Sequence, residues 1–468
     1  MDPILADDLA DLPALLDETR HAAAQVLTGL NDRPVARPST ANGAGSAAPE
    51  VGVGLRGALR EFQQRWESRL SGSAGPRYLG FVTGGTTPAS IAGDWLTSVF
   101  DQNSFTTVDS GASALERETV GWLGQLFGLT EHTGAFVSGA TMSNFVGLAT
   151  AREWLGERMG ISVAQAGVGA LGPIHVLSGA PHASIYKGLA MLGIGRDQLQ
   201  LIPTQSGREA IDIERLTAAL DALDGHASIV VANAGTVNTV DFDDLRAIAE
   251  LKQRYPFWLH VDGAFGAYAA LAPEYAHLVD GLTAADSVCV DLHKWLNVPY
   301  DAAIQFTRRR DLQVQVFQNT AAYLGTPTGT PDFVHLVPES SRRLRALTAW
   351  FTLTAYGRAG HRDIVQRNIA AARQLGERLT TSGLLQLLAP VRLNVVCFTL
   401  TDRPTTERVQ ALTQAITESG ETFLTPTIYN GIPALRAAFS NWRTTDADLD
   451  RIYDAIITAC TSLDKADD

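Results

Sequence analysis

The sequence predicts an α/β protein: a mostly parallel, seven-stranded sheet covered by helices, with a helical segment before it and a small α+β domain after it. Three observations carry that prediction. From about residue 130, short apolar runs alternate with helix-spaced segments, the pattern of a parallel sheet with crossover helices. Several of those runs hold β-branched residues on consecutive positions, as strands buried on both faces require. After residue 345 the chain turns mostly helical, which marks a second, smaller unit.

In chain order, Ile4, Leu5, Leu9, Leu12, Leu16, Val26, Leu27 and Leu30 recur at helical spacing, so residues 3–30 read as one amphipathic helix or two, without a core of their own. Residues 31–50 are rich in Pro, Ala, Gly and Ser and read as a linker or ordered coil. Residues 1–74 therefore form an N-terminal helical segment with its linker, and residues 75–357 a large domain. Its candidate strands are 134–137, 174–177, 199–203, 228–232, 257–261, 287–290 and 302–306. Its helices include 143–154, 182–192, 212–223 and 243–254. Ligands of such sheets gather at the carboxyl ends of the strands, so the residues just after each strand are the ones to inspect. Helical spacing continues over 344–356 and 362–382. Residues 358–468 form the small C-terminal domain, with a strand at 391–400, a helix at 405–419 and a last helix at 446–462.

Composition narrows the function. The chain has 468 residues, 45% hydrophobic and 19% charged, which fits a folded globular protein with a large core. A net charge of −13 argues against a nucleic-acid partner. Cys289, Cys397 and Cys460 lie far apart with no C-x-x-C spacing, so neither a disulfide framework nor a metal site is expected. No run of about 18 uncharged apolar residues is present, and the N-terminus is acidic rather than signal-like. The expectation is a cytoplasmic protein with no membrane partner.

Five features bear on chemistry. Gly52-Val-Gly54-Leu-Arg-Gly57 spells a dinucleotide loop, but coil rather than a strand precedes it, so it reads as a helix start. Ser138-Gly-Ala-Thr-Met-Ser-Asn144 joins a strand to a helix; its small residues and free N–H groups suit an anion, and Thr141 and Ser143 would add hydroxyl donors. The same residues serve equally as a plain N-cap. In His260-Val-Asp262-Gly-Ala264-Phe-Gly266 an acid ends a strand, where capping the next loop is the commoner role. His182, after Pro181 at a helix start, is as readily a cap as a catalyst. Lys294, between His293 and Trp295, follows an apolar strand; lysines are seldom buried without reason, and desolvation is expected to lower its pKa toward the neutral amine that forms Schiff bases. A phosphate cradle, a strand-end Asp and a buried Lys on one sheet are the parts that hold pyridoxal phosphate.

With these motifs the chain resembles the group II pyridoxal-phosphate-dependent amino-acid decarboxylases, of the aromatic-L-amino-acid decarboxylase type. The resemblance runs from residues 76–85 through Asp101-Gln-Asn103, SGATMSN, Pro181-His182, residues 233–239, HVDGAFG, Ala285-Asp286-Ser287 and DLHKWLNVPYD to Ser440-Asn441-Trp442. It implies the fold-type-I architecture of aspartate aminotransferase, with residues 75–357 as the cofactor-binding domain and pyridoxal 5'-phosphate as cofactor. It also implies a homodimer whose N-terminal helices clasp the partner.

By that resemblance Lys294 is the cofactor-binding lysine, Asp262 the acid on the pyridine nitrogen, His182 the imidazole on one ring face and Ala264 the small residue on the other. Ala140, Thr141 and His293 match phosphate contacts, and Thr236 flanks the ring hydroxyl. Phe81, Thr83 and Gly84 match the substrate pocket, with Phe81 suiting an aromatic or aliphatic side chain and the glycines leaving room for a long one. The implied reaction is decarboxylation of an L-amino acid through an external aldimine and a quinonoid. One departure bears on the product: family decarboxylases carry a loop Tyr that helps protonate the product carbon, and this loop, between Tyr323 and Ser341-Arg342-Arg343, has none. Phe333 stands in its place. Members with Phe there resemble aldehyde synthases, which consume dioxygen and release aldehyde, ammonia and peroxide. His182, His335 or water would otherwise protonate. Decarboxylation is the first reading, the aldehyde outcome the alternative, and a non-catalytic protein on the same scaffold the third.

Overall fold

The computed structural model describes residues 1–37, 47–319 and 329–467, with side chains as far as residue 463. Its main sheet consists of β1 (Thr133–Val137), β2 (Val176–Ser178), β3 (Leu199–Leu201), β4 (Ser228–Asn233), β5 (Phe257–Asp262), β6 (Ser287–Asp291) and β7 (Ala303–Thr307). The order across it is β1-β7-β6-β5-β4-β2-β3. β7 runs antiparallel to both its neighbours, while β3, β2, β4, β5 and β6 pair in parallel. Every residue of β4, β5, β6 and β7 is buried, which is why their apolar residues run consecutively instead of alternating. The helix Ala140–Arg158 packs across β5, β6 and β7.

Register places the site. Asn233 lies opposite Asp262, and Asp262 opposite Cys289, so two strand ends finish side by side. Asp291 closes β6 one turn before Lys294. Three polar groups thus reach one edge of an otherwise apolar sheet, at its carboxyl side.

The small sheet is antiparallel, in the order β10-β11-β9-β8, from β8 (Leu385–Leu387), β9 (Val395–Leu400), β10 (Thr425–Tyr429) and β11 (Ile432–Ala438). Three of these strands were not expected from the sequence, and β9 is shorter than the expected 391–400. The two helices expected at 344–356 and 362–382 lie in the span Ala346–Thr381 and are separated at Gly357 (φ 58°, ψ −174°), a non-helical conformation that glycine adopts without steric cost. The last helix runs to Asp467. Leu375, Val396, Phe398, Leu435, Phe439 and Ile452 share its core.

The N-terminal helices Pro3–Ala10 and Leu12–Thr28 bury only Leu15. They are tied to the helix Gly54–Arg65 by Asp8, which accepts the Leu55 N–H at 2.9 Å, and by Arg56 on Glu18 and Asp11. Part of the linker expected at 31–50 (residues 38–46) lies outside the described residues, as does the Tyr323 end of the expected loop.

Candidate active site

A cavity of about 260 Å³ opens at the carboxyl ends of β4, β5 and β6. Of the residues singled out in the sequence, Phe81, Ala140, His182, Thr236, Asp262, Ala264 and Lys294 line it.

Asp262 is held on both oxygens: Oδ2 accepts the Asn144 Nδ2–H at 2.8 Å and Oδ1 the Ala264 N–H at 3.1 Å. Asn144 also donates to Ser184 Oγ at 3.0 Å, and Ser184 Oγ lies 2.8 Å from His182 Nδ1. One amide therefore steadies both the carboxylate and the imidazole. His182 is open to the cavity on one side, yet burial by the surrounding walls lowers its pKa, against the pull of Asp262. With Nδ1 engaged by Ser184, Nε2 is the nitrogen left for a reacting group.

Lys294 departs from expectation. Burial pulls its pKa down, but Asp291, 3.1 Å from Nζ, and Asp262 beyond it outweigh that effect and hold the amine above its ordinary range. The resting lysine is an ion-paired ammonium rather than the neutral amine that desolvation alone would produce, and it lies 5.3 Å from the Phe265 ring centroid.

Gly139 at the start of the helix Ala140–Arg158 supplies no side-chain cap; the Ala140 N–H is held instead by Asp291 Oδ1 at 2.8 Å. Gly139 lies beside His293, where an added Cβ would make only an ordinary contact, 3.5 Å from Cε1. His293 accepts the Ala302 N–H on Nδ1 at 3.2 Å, and its Nε2 lies 3.4 Å from Asp291 Oδ1. Thr141 is half-buried beside Ala140. Ser143 does not add a donor there, because its hydroxyl is spent on the Ile304 carbonyl of β7 at 3.0 Å. Thr236 turns its hydroxyl to Glu209.

Phe81 is 60% exposed at the cavity wall. Thr83 is buried beside it, its hydroxyl on the Gly80 carbonyl and 3.3 Å from Tyr300 OH. Gly84 leaves no room for a ligand: a Cβ there would lie 1.5 Å from the Lys294 carbonyl oxygen, so the absent side chain lets this loop pack against the lysine backbone. Phe333 does not reach the cavity of its own chain. It is 2% exposed, packed with Val137 and Leu336 and flanked by the Arg117 and Arg342 guanidiniums. His335 is buried too, with Nδ1 accepting the Asn319 N–H.

Sequence reasoning missed three residues. Arg436, on β11 of the small sheet, reaches the cavity wall 7% exposed; one nitrogen donates to the Val237 carbonyl and its buried Nε has no partner. Asn144 was read only as part of a helix start, and Asp291 only as part of the lysine motif. Hydrophobic spacing carries no signal for any of them; an arginine inside the apolar run of β11 is the one hint.

The donors fit pyridoxal phosphate: an amine for its aldehyde, a fixed carboxylate for its ring nitrogen, an imidazole at the cavity wall and the N–H groups of a helix start for its phosphate. The sequence profile of the pyridoxal-dependent decarboxylase conserved domain matches residues 54–401. The chain is 27% identical to an aromatic-L-amino-acid decarboxylase of Bacillus atrophaeus, over 93% of this chain and 91% of that one. It is 25% identical to a phenylacetaldehyde synthase of a Rosa hybrid cultivar, over 81% and 79% respectively. Its fold is similar to that of Catharanthus roseus tryptophan decarboxylase in complex with L-tryptophan, with a TM-score of 0.87 and 22% identity over 97% of this chain and 98% of that one.

Proposed function

The chain belongs to the pyridoxal-dependent decarboxylase family, as an amino-acid decarboxylase that uses pyridoxal phosphate, and on that premise we propose that its substrate is an L-amino acid with an aromatic or bulky aliphatic side chain. The observation that carries the proposal is the composition of the cavity wall: Phe81, Val82 and Phe265 supply apolar surface, and Lys294 and Arg436 are the cations among the described lining residues. Once the cofactor takes the lysine, Arg436 is the group that meets a carboxylate, and every amino acid has one at Cα. A second, side-chain carboxylate would lack a partner.

The bound cofactor supplies the electron sink that lets a carboxylate leave as CO2. The protein's share is positional and electrostatic. Asp262, locked by Asn144 and the Ala264 N–H, presents a fixed negative charge where the ring nitrogen is expected to sit, and so favours its protonated form. Lys294 delivers the amine and His182 offers Nε2 for proton transfer. Phe81 and Phe265 keep apolar surface against the substrate side chain.

The aldehyde outcome is the second reading, favoured by one observation: no tyrosine is among the described residues lining the cavity. General-acid help is worth roughly 10²–10⁴-fold, so losing it leaves time for dioxygen to react. The similarity to a phenylacetaldehyde synthase supports keeping it. Aerobic incubation with a panel of L-amino acids tests both, with amine, aldehyde and peroxide followed together. Amine without peroxide from an aromatic or bulky aliphatic substrate is expected. Aldehyde with matching peroxide would establish the second reading, and turnover of acidic substrates alone would refute the substrate class.

The N-terminal helices support self-association. Leu5, Leu9 and Leu16 are exposed there, as are Trp95, Val99 and Phe100 on the helix Pro88–Phe100. A homodimer covers them; light scattering at micromolar concentration that returned a monomer would refute this.

A further inference from the structure

Asp291 is the buried group that the proposed chemistry leaves unused. Its side chain is 4% exposed. Oδ1 accepts the Ala140 N–H at 2.8 Å, at the start of the helix Ala140–Arg158, and Oδ2 lies 3.1 Å from Lys294 Nζ. The protein's own carboxylate therefore occupies the anion seat that the cofactor phosphate needs, and the same carboxylate neutralises the amine that the cofactor aldehyde needs.

We propose that Asp291 competes with the cofactor phosphate for the helix start, and that it takes up a proton when pyridoxal phosphate binds, which makes it the residue that sets cofactor affinity and its dependence on pH. The inference rests on the family's cofactor and not on the substrate class.

The charges around Asp291 set the direction. Lys294 and His293 face it from its own turn, the Tyr268 hydroxyl donates to its backbone carbonyl at 3.2 Å, Cys289 precedes it on β6, and Asp262 and His182 stand in the same cavity. Burial raises the Asp291 pKa, but Lys294 and His293 outweigh it and hold the carboxyl below its usual range in this state. A phosphate beside it is a like charge and pushes the carboxyl up. A group with a low pKa before binding and a higher one after takes up a proton on binding, so its contribution weakens binding as pH rises between the two values.

The test compares pyridoxamine phosphate, which lacks the aldehyde and cannot bond to Lys294, with pyridoxamine, which lacks the phosphate as well. Both are titrated into cofactor-free full-length wild type and Asp291→Asn from about pH 5.5 to about pH 8.5, by tryptophan fluorescence. Pyridoxamine phosphate is expected to bind the variant roughly 10- to 100-fold more tightly at the upper end, with the advantage shrinking toward the lower end. Pyridoxamine is expected to show no such gain. Equal affinities for wild type and variant at every pH would overturn the proposal, and so would a gain of the same size with pyridoxamine, which would mean that Asp291 acts only through Lys294. A second measurement needs no variant: calorimetry of wild type in two buffers of different ionisation enthalpy. Proton uptake with pyridoxamine phosphate above that with pyridoxamine is expected, and equal uptake would overturn the proposal.

Discussion

Replacing Asn144 with alanine tests whether Asp262 works because it is an aspartate or because it is held. Asn144 is fully buried and is the middle of a chain of hydrogen bonds. Trp258 Nε1 donates to Ser287 Oγ at 2.9 Å, Ser287 Oγ lies 2.7 Å from His260 Nδ1, and His260 Nε2 lies 2.9 Å from Asn144 Oδ1. Burial pushes His260 down to about 4, so it is neutral at pH 7; with Nδ1 accepting from Ser287, its proton sits on Nε2 and points at Asn144. The amide then directs Nδ2 to Asp262 and Ser184. Asn144→Ala removes a hydrogen bond to a charged acceptor, worth roughly 1.5–3 kcal/mol, and orphans the His260 Nε2–H, at a further cost of about 1–3 kcal/mol. The two losses share one cavity and are not fully additive, so about 3 kcal/mol is expected.

Activity should fall further than stability implies, since misplacing a reacting group by about 1 Å costs roughly 10²-fold in rate. Chemical denaturation measures the first effect, and initial-rate kinetics at saturating cofactor the second. Asn144→Asp sharpens the test: it sets a second carboxylate against Asp262, so one of the pair must stay protonated, and the remaining activity should shift toward lower pH. An Asn144→Ala enzyme within about 0.5 kcal/mol of wild type and with an unchanged kcat would refute the reasoning.

Asp262→Asn should keep the fold, since the amide fills the same space, but lose most decarboxylase activity; a fully active variant would sink the role assigned to Asp262. Gly84→Ala should fail to hold the cofactor or fail to fold, because its Cβ would stand 1.5 Å from the Lys294 carbonyl; the visible absorbance of the purified protein reads this directly. His361 is 1% exposed, and among the described residues neither ring nitrogen has a hydrogen-bond partner of good geometry, only a poorly aligned approach to the Thr352 backbone. Burial pushes its pKa down to about 4, the Thr352 backbone opposing only weakly. The folded state therefore excludes a proton that the unfolded chain accepts, and stability falls as pH drops from about 6.5 toward about 4. His361→Leu should remove about 2 kcal/mol of that loss at about pH 5 and much less at about pH 8, seen as a pH-dependent gap between denaturation midpoints.

The main sheet was legible because burial on both faces writes itself into sequence as consecutive apolar residues, and all seven strands lie within two residues of their expected limits at both ends; the third ends two residues short of its expected limit at Pro203. Lys294 and Asp262 were legible for the complementary reason, as charges placed where such runs stop. The small sheet was not. Pro426 and Pro433 interrupt β10 and β11, and a proline inside a run argues against a strand. Yet Asn430-Gly431 between them was a usable signal: Tyr429 pairs with Ile432, and both turn residues have positive φ, 49° and 79°, as a tight hairpin turn of this kind requires. The break expected between 356 and 362 was legible in Gly357, whose non-helical backbone separates two helical stretches. The lysine's charge state was illegible in principle. Desolvation follows from a residue's neighbours in sequence, but the compensating carboxylate counts only at 3.1 Å, a distance that the turn after β6 creates.

Residues 76–85 show why the cavity belongs to both sheets at once. Leu79 donates its N–H to the Phe423 carbonyl at 3.0 Å and accepts the Ala438 N–H at 2.9 Å, so this segment is stitched into the edge of the small domain. The next residue but one, Phe81, donates its N–H to Thr425 Oγ1 at 2.9 Å. Phe81 and Val82 then take φ values of 56° and 61°, a region costly for any side chain and most of all for a β-branched one. Two residues later Gly84 is pressed on the Lys294 carbonyl. The strain at Phe81 and Val82 is thus pinned between an anchor on the small domain and an anchor on Lys294, and Arg436 comes from the strand that pairs with β10, which carries Thr425. Any shift of the small sheet must move the apolar wall and the guanidinium together. Under the proposed function, substrate shape and substrate charge would therefore be read by one mechanical unit, while Lys294, Asp262 and Asp291 belong to the large sheet.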